Sequence, residues 1–356
     1  MRPRLLFLTD SYPHDEKPYI TPFFHDHAKA VQSFADVKVL TLIRGDRFGF
    51  RRYVWDGVEV EAFLMPYRPK MGLVFLPLAL ILHALLLLRG LIGFRPDAVV
   101  VHMALPSGLA ASALLPKRFA VVEHSSLFAR GANALLSKIV YRLARRVFTV
   151  STFLARELRE SLGVEADGVI PNPIRPCHLP SPTGDSSTVL WIGRITPVKD
   201  PILLKEAARL LPDLRFIFVG EASDPKYTRE FLRDLPPNCE YLGPLPREDV
   251  LQLMGRGDVL VSTSTYETFG VVMAEALACG RPVVWTDSGG PRDFLNEGNS
   301  VSVRERTPQA LAEAISEALS KLRSGYFNPE EIRRGILSYA SPERVAALYR
   351  EFLFGE

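Results

Sequence analysis

The chain has 356 residues, 47 % of them apolar and 23 % charged. That is enough for two domains and excludes a disordered or fibrous chain. The net charge of +3 hides an asymmetry: residues 1–170 carry 22 basic and 15 acidic side chains, an excess of seven, and the remainder 21 and 25, a deficit of four. A basic first half implies an anionic partner. No aromatic-basic interleaving or nucleic-acid motif accompanies it, so nucleic acid is not expected. Cys177, Cys239 and Cys279 have neither metal-ligand nor CxxC spacing and read as reduced thiols of a cytosolic protein. Leu5–Leu8, closed by Thr9-Asp10, is too short for the core of a signal peptide.

In chain order, Leu5–Leu8 reads as a strand and the loop from Thr9 to Pro13 lies at its carboxyl end, where parallel sheets hold ligands. A helix is expected over Phe23–Phe34. Strands are expected over Val37–Ile43, Val58–Leu64, Asp97–His102, Phe119–Glu123 and Val147–Val150. Helical runs at Ser107–Leu115 and Leu135–Arg145 alternate with them, which implies parallel βαβ units.

Leu73–Leu88 is the most apolar run, with His83 as its only polar group. It falls below the ~20 residues of a bilayer span. Three readings stand: a core helix with one exposed apolar face, a helix dipping into a leaflet, or a true span, which would cut the first strands off from the rest of their sheet. In the second, Arg44, Arg47, Arg51, Arg52, Arg68 and Lys70 meet anionic lipid.

A helix over Phe153–Leu162 precedes Val169–Ile174. Five prolines among residues 171–187 mark a linker. Strand Thr188–Ile192 then leads into Gly193-Arg194 and, five residues on, Lys199-Asp200, ahead of a helix over Pro201–Leu211. Two cations at a strand-to-helix turn suit a diphosphate and the charge that develops as it leaves. Strands are expected over Leu214–Gly220, Cys239–Leu242 and Asp258–Ser262, and terminal helices over Pro308–Leu322 and Pro342–Phe354.

The most informative stretch is Glu267–Val284. Val271–Cys279 reads as a buried helix stopped by Gly280 and Pro282, with a strand at Val283–Trp285. Glu267 lies in the loop before that helix and Glu275 on its second turn. Carboxylates accept hydrogen bonds from sugar hydroxyls, a helix N-terminus receives phosphate, and Gly270 lets the backbone approach closely. A polyol attached to an anion fits such a place.

The string from Glu267 to Glu275, with Gly193, Arg194 and Lys199 before it, resembles the signature of glycosyltransferase family 4. The resemblance implies an α/β chain of GT-B architecture, with two Rossmann-like parallel-sheet domains facing a central cleft. It divides the chain into an acceptor-side domain at 1–174, a Pro-rich linker at 175–187, a donor domain at 188–340, and a last helix at 341–356 that crosses back to the first domain. It also implies retaining transfer of a hexosyl group from a nucleoside-diphosphate sugar to a glycan or lipid-linked acceptor. Arg194 and Lys199 would hold the diphosphate. Glu267 and the amides of Phe269 and Gly270 would hold the sugar, and Gly193, Thr268 and Val271 would also line the donor site. Glu275 would take the ribose hydroxyls, and His124, at the end of Phe119–Glu123, would reach the sugar from the first domain. No cofactor or metal is expected, and the place of action would be cytoplasmic or the inner face of the membrane. The chain departs from the pattern in three places: residues 13–22 contain no glycine, Ala222 stands where relatives carry a glycine, and Asp293 where they carry a glutamate. A sugar-nucleotide epimerase and a non-catalytic assembly subunit of the same fold are the alternatives.

Overall fold

The computed structural model describes all residues except 1, 19, 67–71, 127–130, 178–186 and 356. Arg68, Lys70 and most of the expected linker therefore lie outside the described residues. The chain divides into two compact units, Met1–Pro173 with Pro342–Glu356, and Ile174–Ser341.

The first unit contains β1 (Arg4–Thr9), α1 (Pro22–Val31), β2 (Asp36–Gly45), β3 (Gly49–Trp55), β4 (Val58–Pro66), α2 (Gly72–Phe94), β5 (Ala98–His102), α3 (Leu109–Leu114), β6 (Phe119–Glu123), α4 (Ala132–Leu143), β7 (Arg146–Thr149), α5 (Thr152–Leu162) and β8 (Gly168–Val169). The strands form one sheet in the order β3-β4-β2-β1-β5-β6-β7-β8. Pairing is parallel except between β3 and β4. Leu5–Leu8 of β1 are fully buried, as a central strand covered on both faces requires. The edge strand β3 was not expected. Its exposed and half-buried residues alternate, so it lacks the apolar run that marks the inner strands.

Helix α2 runs to Phe94, six residues past the expected end. It is long and apolar enough to cross a membrane by length and composition. One side nonetheless belongs to the core: Ala79, His83, Leu86 and Leu87 are fully buried. The His83 ring nitrogens lie 2.8 Å from the Ala79 carbonyl and 3.2 Å from the Thr9 carbonyl at the end of β1. The other side exposes Ile81 at 58 %, Leu85 at 50 %, Leu88 at 43 % and Ile92 at 76 %. The spacing of four, three and four residues puts these on one stripe.

The second unit contains β9 (Thr188–Ile192), α6 (Pro201–Ala208), β10 (Arg215–Val219), α7 (Pro225–Leu232), β11 (Cys239–Tyr241), α8 (Arg247–Arg256), β12 (Val259–Ser262), α9 (Val271–Ala278), β13 (Val283–Thr286), β14 (Ser300–Val303), α10 (Pro308–Arg323) and α11 (Pro329–Ala340). Its parallel sheet has the order β11-β10-β9-β12-β13-β14. This is the doubly wound arrangement, in which the direction of winding reverses between β9 and β12 and opens a crevice at the strands' carboxyl ends. The last helix, α12 (Pro342–Phe354), packs in the first unit, where the Tyr349 hydroxyl meets His27 Nδ1 at 3.0 Å.

One expectation is corrected. Cys177 and Cys279 are joined as a disulfide, and Cys239 alone remains a thiol. The segment after Ile174 runs beside the end of α9, which brings together two cysteines 102 residues apart. Spacing along the chain cannot register that proximity. The thiol count therefore no longer argues for a reducing compartment.

Burial holds His27 and His83 neutral, with pKa values lowered to about 4. The unfolded chain then binds more protons than the folded one between pH ~6.5 and ~4, so stability falls as pH falls through that window. Each group contributes on the order of 3 kcal/mol to the loss. Urea midpoints measured from pH 7 to pH 4 should drop steadily. The drop should be smaller in His83→Gln, and a flat profile in the parent chain would contradict neutral burial.

Candidate functional site

The second unit's crevice is built from bare backbone. The Gly193 amide donates to the Val219 carbonyl and the Gly220 amide to the Gly243 carbonyl, both at 2.9 Å. A Cβ on Gly220, whose φ is +148°, would stand 1.7 Å from the Gly193 carbonyl oxygen. The turns after β9 and β10 thus lie against each other with no room for a side chain at Gly220, whereas Gly243, after β11, faces open space.

Across the point of reversal the loop after β9 meets the loop after β12. Lys199 Nζ donates to Glu267 Oε1 at 2.5 Å, and the same oxygen accepts from Ser264 Oγ at 2.8 Å. Thr263 Oγ1 accepts from Trp191 Nε1 at 3.0 Å and donates to the Lys199 carbonyl at 2.8 Å. Sequence reading assigned Lys199 and Glu267 to different parts of a ligand, whereas here they form one ion pair. Arg194 is exposed, with no hydrogen-bond or ion-pair partner among the described residues.

Glu267 is held by its backbone as well. Its amide donates to the Ser288 carbonyl at 2.7 Å, and its carbonyl accepts from the Gly290 amide at 2.9 Å. A Cβ on Gly290 would fall 2.2 Å from the Thr268 carbonyl oxygen, and Gly289 has a φ of +102°, so both positions call for glycine. Gly270 precedes α9 at φ +91° with no side chain capping the helix. The first-turn amides of α9, starting at Val271, have no partners within the helix and are available to a ligand. Phe269 contributes backbone only: its ring is 1 % exposed and packs 5.3 Å from Phe294.

Two residues that sequence reading left out organise this crevice, and a third organises the end of β6 in the first unit. Arg247, at the start of α8, donates to Glu275 Oε1 from Nε at 3.0 Å and from Nη2 at 2.6 Å. Glu275, 6 % exposed, is therefore already paired. Arg306 donates to Asp200 Oδ2 at 2.8 Å, the Thr263 carbonyl at 2.9 Å and Thr286 Oγ1 at 2.8 Å. It ties the loops that follow β9, β12 and β13. Glu123, in the first unit, accepts from the Ala104, His124 and Ser125 amides and the Tyr141 hydroxyl at 2.8–3.1 Å. Burial raises its pKa. Asp293 accepts from the Tyr339 hydroxyl at 3.2 Å, a tie to α11.

His124, also in the first unit, is 6 % exposed. Its Nε2 lies 2.9 Å from His102 Nδ1, and its ring lies 5.3 Å from that of His27. Among the described residues its buried Nδ1 has no partner in hydrogen-bond geometry, although the Asn172 side chain stands close enough to favour the charged ring slightly. Burial first, and the neighbouring histidine second, keep it neutral. Among the described residues no three His, Cys, Asp or Glu side chains converge as metal ligands.

Two family models match the chain: the glycosyl transferase 4-like domain over residues 20–173 and the glycosyl transferases group 1 over residues 181–324. D-inositol 3-phosphate glycosyltransferase of Mycobacteroides abscessus is 33 % identical, over 40 % of this chain and 34 % of its own length. GDP-mannose-dependent alpha-mannosyltransferase of Mycobacterium tuberculosis is 29 % identical over 74 % of this chain and 75 % of its own. Among curated relatives it matches, the chain spans only 34 %, 41 % and 44 % of three. Anabaena HepE, solved with UDP-glucose, superposes with a TM-score of 0.75 and 21 % identity, covering 99 % of this chain and 100 % of that one. With two parallel-sheet α/β units and matches that together run from residue 20 to 324, the chain belongs to glycosyltransferase family 4, with GT-B architecture.

Proposed function

We propose that the chain is a retaining glycosyltransferase that moves a hexosyl group from a nucleoside-diphosphate sugar to a hydroxyl of a glycan or lipid-linked acceptor. The observation that carries this reading is the Lys199–Glu267 pair at the point of reversal in the second sheet, beside the uncapped start of α9 and the open Arg194. Cations, amides and a carboxylate on one crevice fit a diphosphate joined to a polyol. The mannosyltransferase relative is GDP-mannose-dependent by name, and the HepE structure holds UDP-glucose. Both support a nucleotide sugar as donor.

In the proposed reaction the bond from the anomeric carbon to the diphosphate breaks as the acceptor oxygen bonds to that carbon on the same face. The acceptor's proton passes to the departing phosphate oxygen. Arg194 and Lys199 take up the charge on the leaving diphosphate, a stabilisation worth most in a site that excludes water. Glu267 and the Phe269 and Gly270 amides orient the sugar, Glu275 the ribose, and His124 serves as the sugar contact from the first unit. No metal takes part in this scheme, because two cations already meet the diphosphate. We further propose that the exposed stripe of α2 rests on an anionic membrane surface, consistent with the first half's positive charge.

A thermal-shift panel of UDP-, GDP- and ADP-sugars tests the donor class. A donor at ~100 Kd should raise stability by ~2.7 kcal/mol, and no response to any member would remove the reading. An α-linked donor should yield an α-linked product, in EDTA as well as without it. An inverted anomer would overturn the retaining scheme, and activity lost to EDTA and restored by Mg²⁺ would overturn the metal-free one.

The two glutamates should fail differently. Glu267 acts where charge develops, so Glu267→Ala should lower kcat by about two orders of magnitude, the scale of ~3 kcal/mol for one charged contact. Glu275→Ala should chiefly raise donor KM, the mark of uniform binding. Calorimetry with the bare nucleoside diphosphate separates them. It should bind Glu267→Ala almost as it binds the parent and bind Glu275→Ala more weakly; equal losses would void the assignment.

A further inference from the structure

A cavity of about 790 Å³ lies in the first unit, at the amino ends of β2 and β4 and beside the end of α2. His102 and His124 stand at the carboxyl ends of β5 and β6 in the same sheet, so the cavity is at the opposite edge from them. Its volume lies within the range of small-molecule sites, about 300–1,000 Å³, and far exceeds what one inorganic ion fills.

The walls are charged on one side and apolar on the other. Lys38, Arg52 and Arg89 line it together with Glu59 and Glu61, leaving one positive charge in excess. Glu61, 7 % exposed, draws all three cations: Arg89 Nε at 2.8 Å, Arg52 Nε at 3.4 Å and Lys38 Nζ at 3.5 Å. Pairing through Nε leaves the outer nitrogens of both guanidinium groups without a hydrogen-bond partner among the described residues. The Arg52 and Arg89 side chains are 59 % and 47 % exposed. Both lie near the Phe50 ring, 5.7 and 5.1 Å from its centre. Two neighbouring guanidinium forks with free N–H groups match a phosphate, which accepts such pairs of bonds. Ile92 lines the same cavity and ends the stripe Ile81, Leu85, Leu88 and Ile92. Gly90 allows this approach: a Cβ there would stand 2.9 Å from Leu40 Cδ1, so the helix rides close to the sheet just where Arg89 reaches Glu61.

We infer that this cavity binds the phosphate headgroup of an anionic amphiphile, whose hydrocarbon chain lies along the α2 stripe. The inference extends the membrane reading of α2 and rests on it for the source of the ligand. Charge excess and free guanidinium forks select the head, and the contiguous apolar stripe selects the tail. A free phosphate would use the first and ignore the second.

The test uses the full chain and three probes: inorganic phosphate, dihexanoyl phosphatidic acid kept monomeric, and vesicles of equimolar phosphatidylcholine and phosphatidic acid. Calorimetry should show saturable binding of dihexanoyl phosphatidic acid, weakened at least about tenfold by Arg52→Gln with Arg89→Gln and also weakened by Ile92→Asn. If the double variant does not fold, Arg52→Gln alone should still cost about threefold, since that side chain lies mostly in solvent. Inorganic phosphate should bind far more weakly than the amphiphile. Equal affinity for the two, no saturation, or unchanged affinity in the variants would each overturn the inference. Vesicles that retain parent and double variant alike would overturn the headgroup site and leave the membrane reading intact. Vesicles that retain neither, with arginine-dependent binding of the monomeric amphiphile, would do the reverse. Donor binding should be the same in every variant, which keeps the transferase reading separate.

Discussion

The contact between Lys199 and Glu267 sets the geometry of the second unit's crevice. Both side chains are largely withdrawn from water, at 25 % and 16 % exposure, and removing either would leave a charge without its partner in a partly dry place. The loops after β9 and β12 are therefore positioned by each other. Ser264, Thr263 and Trp191 add neutral hydrogen bonds along the same seam. A ligand carrying both an anion and hydroxyls can replace each half of the pair, offering phosphate oxygens to Lys199 and hydroxyl donors to Glu267. A ligand with only one of these features would leave the other charge exposed to its desolvation cost. Under the proposed function the pair would therefore act as a filter for sugar phosphates.

The same logic repeats outward. Glu275 is buried and would be costly as a lone carboxylate, so Arg247 holds it from α8. Asp200 turns the chain into α6 at φ +47° with no side-chain cap, and its carboxylate is instead taken by Arg306 and the Tyr227 hydroxyl. Each of these acidic groups near the crevice is fixed by a partner from a different loop or helix. The result is a pre-organised set of strand-end turns, which is what positioning of a reacting group demands.

How much of this was legible in the sequence depends on distance along the chain. Gly193, Arg194 and Lys199 sit within seven residues, and Glu267 to Glu275 within nine, so local strings could single them out as candidates. The continuous apolar strands were legible for the same reason: Phe119–Glu123 and Thr188–Ile192 were read to the residue. Arg306 acts across 106 residues on Asp200, and Arg247 across 28 on Glu275; nothing local shows which carboxylate a given arginine will hold. The short strand β14, Ser-Val-Ser-Val, and the polar helices α7, α8 and α11 were missed because they bury few apolar residues each. Strand β3 was missed because its alternation is carried by arginines and aromatics rather than by a polar–apolar contrast.

Helix α2 shows how far composition can mislead in the opposite direction. Its apolar length alone would allow a span, yet His83 hydrogen-bonds to the end of β1 and four of its residues are sealed against the unit's core. Withdrawing it into a bilayer would strip a covering layer from the sheet. What remains outside is a stripe of four large residues, each 43–76 % exposed. Full burial of such a side chain is worth ~1.5–3 kcal/mol, so completing the burial of four half-exposed ones yields roughly 3–6 kcal/mol at most. That scale matches reversible adsorption at an interface rather than the effectively irreversible insertion of a spanning helix. Under the proposed membrane reading, adsorption of that strength would also need help from charge, which the arginines beside the stripe would supply.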